Sequence, residues 1–94
     1  MFIYAIGTQT HQKIGFSSDV EQRLRNLQTA NSEKLCVHHK VEVPKERARI
    51  LERKIHKEMS YKRVKGEWFD MSPKDAKNIL EFMKIRWLDD TLLD

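Results

Sequence analysis

Apolar positions near the start of the chain predict two short strands joined by a turn. Residues 2–6 (Phe-Ile-Tyr-Ala-Ile) are apolar throughout, as in a strand covered on both faces. Turn residues follow over 7–11, and 13–16 returns as a second strand. Because side chains alternate along a strand, Tyr4 and Lys13 can share one face. A lysine beside the phenol would lower the pKa of Tyr4 by favouring its charged form.

Longer patterns complete the prediction of elements. Helical spacing of apolar residues predicts a helix that begins at a Ser18 cap and ends near Asn31. Strict alternation over 35–43 predicts a third strand. Helical spacing then returns over 44–60 and again over 73–88. We therefore expect an α/β protein of the α+β type, with three strands and three helices.

The length of the chain bounds its organisation. Ninety-four residues support one modest core and not two, so we expect a single domain over 1–94 that ends in an acidic tail, 89–94. No stretch could cross a bilayer, and the N-terminus lacks a secretory signal. The one cysteine, Cys36, cannot form an internal disulfide, which agrees with a reducing compartment. We expect a cytoplasmic protein.

Basic residues are concentrated in the segment 45–65. It carries nine lysines and arginines against three acidic residues, whereas 1–44 is nearly neutral and 66–94 is acidic. A cationic patch of this density favours a polyanionic partner, and nucleic acid is the usual one. A solvated helix face with mixed charges explains the same composition equally well. The candidate contacts to nucleic acid are Arg49, Arg53, Lys54, Lys57, Arg63 and Lys65.

Glu52 flanks the apolar stripe of the predicted helix over 44–60, and His56 follows one turn later on the same side. One interpretation is a set of salt bridges to Arg49, Arg53 or His56, each of which contributes little at an exposed surface. The other is metal binding, because Mg²⁺ needs only one or two protein carboxylates and completes its shell with water and phosphate oxygens. The local pattern alone favours the salt bridges.

Several features in a fixed order resemble the GIY-YIG nuclease superfamily, and within it a small phage and bacterial subgroup with Lys-Ile-Gly in the second motif. The likeness covers about residues 2–69. It is carried by Tyr4, Lys13-Ile14-Gly15, Arg23, Leu27-Gln28-Thr29-Ala30-Asn31, Leu51-Glu52, Ile55-His56 and Gly66-Glu67-Trp68-Phe69. The chain departs from the usual motifs at Phe2, where most members have glycine, and at Lys13, where most have tyrosine. A proton relay between two tyrosines is therefore not implied.

The resemblance implies a three-stranded antiparallel sheet flanked by helices, with a cleft that hydrolyses a nucleic-acid phosphodiester using one divalent ion, Mg²⁺ or Mn²⁺. Tyr4 would be the general base for the attacking water, helped by Lys13. Arg23 would bind the scissile phosphate, and Glu52 would hold the metal. His56 would orient Glu52, assist proton transfer or contact the phosphate backbone.

Two classes of function follow from these observations. The first is a metal-dependent endonuclease, with DNA expected as the substrate rather than RNA, in a bacterial or phage-infected cell. The second is a module that keeps the fold and binds nucleic acid or protein without catalysis, because a fold alone does not guarantee a reaction. The oligomeric state stays open: Leu92 and Leu93 of the tail could meet a second copy in a homodimer or cover the chain's own core.

Overall fold

An antiparallel hairpin forms the centre of the molecule, of which a computed structural model describes residues 1–89. Its strands are β1 (Phe2–Gly7) and β2 (His11–Ser17). The third strand, β3 (Cys36–Glu42), pairs antiparallel with the other edge of β1. The mixed α and β class and these three strands agree with the prediction from the sequence.

The sheet nevertheless has five strands, so the prediction of three is wrong. The two additional strands are β4 (Arg63–Lys65) and β5 (Trp68–Asp70), and the sheet order is β3-β1-β2-β5-β4. They form a hairpin through Gly66, whose φ of 56° lies in the left-handed region that glycine favours. Each has only three residues, which is too short for an alternating pattern to identify it.

The helices lie close to their predicted positions. They are α1 (Val20–Thr29), α2 (Lys45–Glu58) and α3 (Pro73–Lys84), with a 3₁₀ turn at Ser60–Lys62 and a π-helical turn at Ile85–Asp89. The expected helix over 73–88 is therefore α-helical to Lys84 and π-helical after it. No helix within residues 1–89 is both long and apolar enough to cross a membrane. The predicted contacts of Leu92 and Leu93 lie outside the described residues.

The cap of α1 differs from the prediction by one residue. Asp19, and not Ser18, caps the helix, because its side chain accepts a hydrogen bond of 3.0 Å from the backbone amide of Gln22. Ser17 holds the turn before it by accepting a hydrogen bond of 3.0 Å from the Asp19 amide. The carboxylate also places negative charge at the positive end of the helix, which stabilises the first turn.

Two hydrophobic layers lie on opposite faces of the sheet. On one face, Ile3 and Ile14 pack against α2 and α3 in the larger layer. On the other face, Tyr4 and Ile6 pack against Val20 of α1 in the smaller layer. Tyr4 and α2 therefore lie on opposite faces of the sheet. Residues of α2 can meet Tyr4 only around an edge of the sheet.

Candidate active site

Tyr4 is held inside the hairpin by a glycine on the neighbouring strand. It is 1% exposed, and it lies opposite Gly15 in the β1–β2 register. A β-carbon built on Gly15 would lie 2.7 Å from Cζ of Tyr4, so any larger residue there would have to displace the ring. Lys13 lies on the same face, because it pairs with Ile6, two residues from Tyr4. Tyr4 and Lys13 therefore share one face of the sheet, as the alternation predicts.

The hydroxyl of Tyr4 is available for chemistry. It forms no hydrogen bond with another residue of 1–89, and no buried side-chain oxygen or nitrogen in that range lacks a partner. Burial raises the pKa of Tyr4 to about 12, and the carboxylates of Glu67 and Glu52 add to this effect while Arg23 opposes it.

The expectation that Lys13 lowers the pKa of Tyr4 is wrong. Burial of the phenol raises its pKa, Lys13 is not among the charges that shift it, and the lysine is engaged elsewhere. Its Nζ lies 3.4 Å from Oε1 of Glu67 and 5.8 Å from the centre of the Trp68 ring. Glu67 is a further residue of the site, to which the sequence alone assigns no role. Its place in Gly66-Glu67-Trp68-Phe69 was the available signal.

An open stretch of the β2 edge brings α2 to this site. Strand β5 pairs with β2 over residues 11–13, so residues 14–17 have no strand beside them on that side. His56 occupies the gap, because its Nε2 donates a hydrogen bond of 2.7 Å to the carbonyl oxygen of Ile14. The amide of Ile14 donates to the carbonyl oxygen of Glu67 at 3.1 Å. The backbone carbonyl of Ile14 thus holds His56 beside β2, and the backbone amide of Ile14 holds Glu67 there.

The Glu52 carboxyl lies where charges from four elements meet. It is partly buried, and it forms no hydrogen bond or salt bridge with another residue of the described range. Burial, followed by repulsion from Glu67, raises its pKa to about 7, while Lys13, Arg49 and Arg23 lower it. These groups come from the β4–β5 turn, β2, α2 and α1, so the chain brings distant residues together around Glu52.

Arg23 is the arginine of α1 that remains free for a ligand. Its guanidinium is exposed, acts on both Tyr4 and Glu52, and forms no ion pair with another residue of 1–89. Arg25, two positions later, instead donates a hydrogen bond of 2.8 Å to Gln22 on its own helix. Arg23 therefore stays the candidate that the motif predicts, and Arg25 is engaged on its own helix.

A basic cleft of about 470 Å³ opens beside Glu52. This basic cleft is lined by Phe16, Arg49, Glu52, Arg53, His56, Lys57 and Arg63. Two predicted nucleic-acid contacts lie elsewhere. The Nζ of Lys54 lies 4.0 Å from the centre of the Trp87 ring, and Lys65 lines a separate cleft near the β1–β2 turn.

The donor set suits a hydrated divalent ion. Glu52 presents a partly buried carboxylate that has no ion pair within residues 1–89, and the charge of Glu67 lies close enough to raise its pKa. Within the described residues, no three side chains of His, Cys, Asp or Glu lie together as a metal site. Mg²⁺ and Mn²⁺ do not require such a cage, because water and phosphate oxygens complete their coordination. The residues present therefore fit this class of ion.

Comparison with known families places this site in context. The profile of the T5orf172 domain matches residues 1–84. The chain belongs to the T5orf172 domain family. No curated protein and no solved structure matches it. T5orf172 domains occur in phage proteins associated with GIY-YIG-like and HNH-like nucleases, and the family suggests a nuclease-related or nucleic-acid-binding function.

The T5orf172 match spans all five strands and the three helices. It therefore includes Tyr4, Lys13, Arg23, Glu52 and Glu67. The candidate site lies within the part of the chain that defines the family and not in a peripheral segment.

Proposed function

We propose that this T5orf172 domain is a metal-dependent endonuclease that hydrolyses phosphodiester bonds in DNA with the chemistry of the GIY-YIG nucleases. One observation carries the proposal: Arg23 and Glu52 both shift the pKa of Tyr4, although the three residues come from three separate elements. Charge interactions weaken with distance and are screened by salt beyond about 10 Å. A phenol, a guanidinium and a carboxylate close to one another form a set that can attack, bind and stabilise a phosphate.

Tyr4 is proposed to accept the proton of the attacking water. A phenol with a pKa of about 12 is protonated at neutral pH, so it must be ionised before it can act as the base. Glu52 and Glu67 both raise this pKa, and a cation that balances their charge would remove that effect. Arg23 already lowers it. We therefore expect Tyr4 to become a usable base only when the two carboxylates carry a bound cation.

Arg23 and Glu52 have complementary roles at the scissile phosphate. The free guanidinium of Arg23 can donate two hydrogen bonds to phosphate oxygens and stabilise the charge that develops on them. Glu52 is the residue that would hold Mg²⁺ or Mn²⁺. The bound ion would polarise the phosphate and neutralise the departing oxygen.

His56 acts in this proposal as a positioning residue. A carbonyl oxygen can only accept, so the hydrogen bond to Ile14 requires the proton of His56 to lie on Nε2. The ring also packs against Phe69, with centroids 5.1 Å apart. These contacts hold α2, and with it Glu52, against the open edge of β2.

A cleavage assay tests the proposal directly. Supercoiled plasmid and single-stranded DNA are incubated with the protein in Mg²⁺, in Mn²⁺ and in chelator. Cutting should require metal, and Tyr4→Phe, Arg23→Ala and Glu52→Gln should each reduce it by about a hundredfold or more. Arg25→Ala is the matched control, because Arg25 is bonded to its own helix. Metal-independent cutting, or full activity in Glu52→Gln, would overturn the proposal.

The second candidate is a module that binds nucleic acid without cutting it. The raised pKa of Tyr4 favours this alternative, because a phenol that stays protonated cannot act as a base. The same assay separates the two classes. DNA that is bound but left intact in every metal would support the binding module.

A further inference from the structure

A second cleft, of about 280 Å³, opens beside the β4–β5 hairpin on the sheet face that carries Tyr4. Trp68 lines it and fixes its position relative to the site. Trp68 pairs with Lys13 across β5 and β2, and Lys13 pairs with Ile6 across β2 and β1. Directly paired residues point to the same face, so this row lies next to Tyr4. Adjacent strands are about 5 Å apart, so the cleft begins about two strands from β1.

The walls of this cleft combine an aromatic surface with two polar side chains, each of which keeps one polar group without a partner among residues 1–89. Trp68 is partly exposed, and the ammonium of Lys13 lies 5.8 Å from its ring centre. Oδ1 of Asn31 accepts a hydrogen bond from the Glu33 amide at 3.0 Å, which leaves its NH₂ group available. Nδ1 of His11 is bonded to the Thr10 hydroxyl at 2.9 Å, which leaves Nε2 available.

These features match a nucleobase better than a peptide or a lipid. A base has a flat π surface that stacks on an indole, and its edge carries both donors and acceptors. Lys65 lines the cleft together with one acid, Glu33, and the ammonium of Lys13 lies beside Trp68, so two lysines are placed to meet the negative phosphates of the same strand. A base held in a duplex cannot present its face to Trp68, because neighbouring bases cover it.

We propose that this cleft binds an unpaired nucleobase of the strand being cut, stacked on Trp68, next to the scissile phosphate. This proposal rests on the proposed function, because it uses the same strand and the same face of the sheet. It predicts that the protein prefers single-stranded, mismatched or otherwise unpaired sites over a continuous duplex.

Intrinsic fluorescence provides the test, because the chain has two tryptophans, Trp68 and Trp87. In Trp87→Phe, Trp68 is the remaining tryptophan. A labelled oligodeoxythymidylate is titrated into this variant in chelator, where cutting does not interfere, and its anisotropy reports binding independently. Fluorescence of Trp68 should be quenched with the same midpoint as the anisotropy change. In the converse variant, Trp68→Phe, the fluorescence of Trp87 should not respond.

An abasic oligonucleotide separates stacking from phosphate contacts. The wild type should bind the thymidylate about five- to a hundredfold more tightly than an abasic strand of equal length. This ratio should fall towards one in Trp68→Leu. Because it is a ratio within one variant, it is insensitive to a partly unfolded sample. Trp68→Phe keeps an aromatic ring in the core and should retain an intermediate ratio.

The outcomes distinguish the two proposals. If the oligonucleotide binds while Trp68 fluorescence is unchanged and the abasic strand binds equally well, the base site is overturned and the nuclease proposal stands. If no nucleic acid changes the anisotropy, the proposed function fails and the base site fails with it.

Discussion

The ring of Tyr4 occupies the space that a side chain at Gly15 would fill. A β-carbon on Gly15 would lie 2.7 Å from Cζ of Tyr4, and the two residues face each other in the central hairpin. The glycine of the Lys13-Ile14-Gly15 motif is thereby explained by the tyrosine of the preceding strand. One residue makes room for the group that carries the proposed chemistry.

Gly15→Ala should therefore disturb the fold and the site together. We expect the free energy of unfolding in urea to fall by about 1–3 kcal/mol, as for other overpacked cores. The double-mutant cycle with Tyr4→Ala provides the control, because removal of the ring opens the space. If Gly15→Ala costs as much in the Tyr4→Ala background as in the wild type, the contact with Tyr4 is not the cause.

Glu52 should make stability depend on pH. Its pKa rises from 4.5 to about 7 on folding, so between these values the folded state binds more protons than the unfolded state. Stability therefore falls as the pH rises through this window. Without metal, Glu52→Gln should be more stable than the wild type near pH 8, where the buried charge is present, and similar to it near pH 4. Thermal unfolding at both pH values checks the prediction, and a gain of equal size at both would contradict it.

Divalent cations should remove this instability. An ion that binds the folded state alone raises the unfolding temperature, by an amount that grows with the logarithm of the ion concentration once this exceeds the Kd. We expect Mg²⁺ or Mn²⁺ to stabilise the wild type near pH 8 and to have no effect on Glu52→Gln. Glu46→Gln, an exposed acid in the first turn of α2, is the control and should respond like the wild type. Stabilisation that persists in Glu52→Gln would place the ion elsewhere.

Glu67 should control the ionisation of Glu52. The charge of Glu67 is second only to burial in raising the pKa of Glu52. Glu67→Gln removes that charge, so the pKa of Glu52 should fall below about 7. Titration of the Glu52 side-chain carbon by NMR measures this directly. Glu58→Gln changes an exposed acid on the same helix and should leave the titration of Glu52 unaltered; an equal shift in both variants would exclude a specific effect of Glu67.

The elements that the sequence predicts correctly are those with long, regularly spaced apolar residues. The hairpin around Tyr4 and the three helices follow from apolar spacing, and motif order nominates Arg23 and Glu52 as candidate site residues. The β4–β5 hairpin does not, because strands of three residues are too short for an alternating pattern to identify them. Glu67 has no predicted role because its contact with Lys13 and its effect on Glu52 arise only in the folded chain.

The electrostatics of the site could be predicted only in part. The positive charge of Lys13 predicts a lowered pKa for a nearby phenol, but the sequence does not give the burial of Tyr4, which raises that pKa. Nor does it give the competing partner of the lysine, Glu67. Short-range charge effects depend on depth and on neighbours, and both are set by tertiary packing.

Neighbouring lysines on α2 should have different effects on DNA binding. Lys57 lines the basic cleft, whereas the Nζ of Lys54 lies 4.0 Å from the Trp87 ring centre. If Lys57 contacts a phosphate, Lys57→Ala should weaken affinity for all sequences alike and reduce the slope of log affinity against log salt by about one. Lys54→Ala should leave that slope nearly unchanged, because its ammonium is held on the indole. Fluorescence anisotropy across a range of salt concentrations measures both slopes. Equal losses in the two variants would mean that DNA lies along the outer face of α2 and not in the basic cleft, and the strand could not then pass beside Glu52.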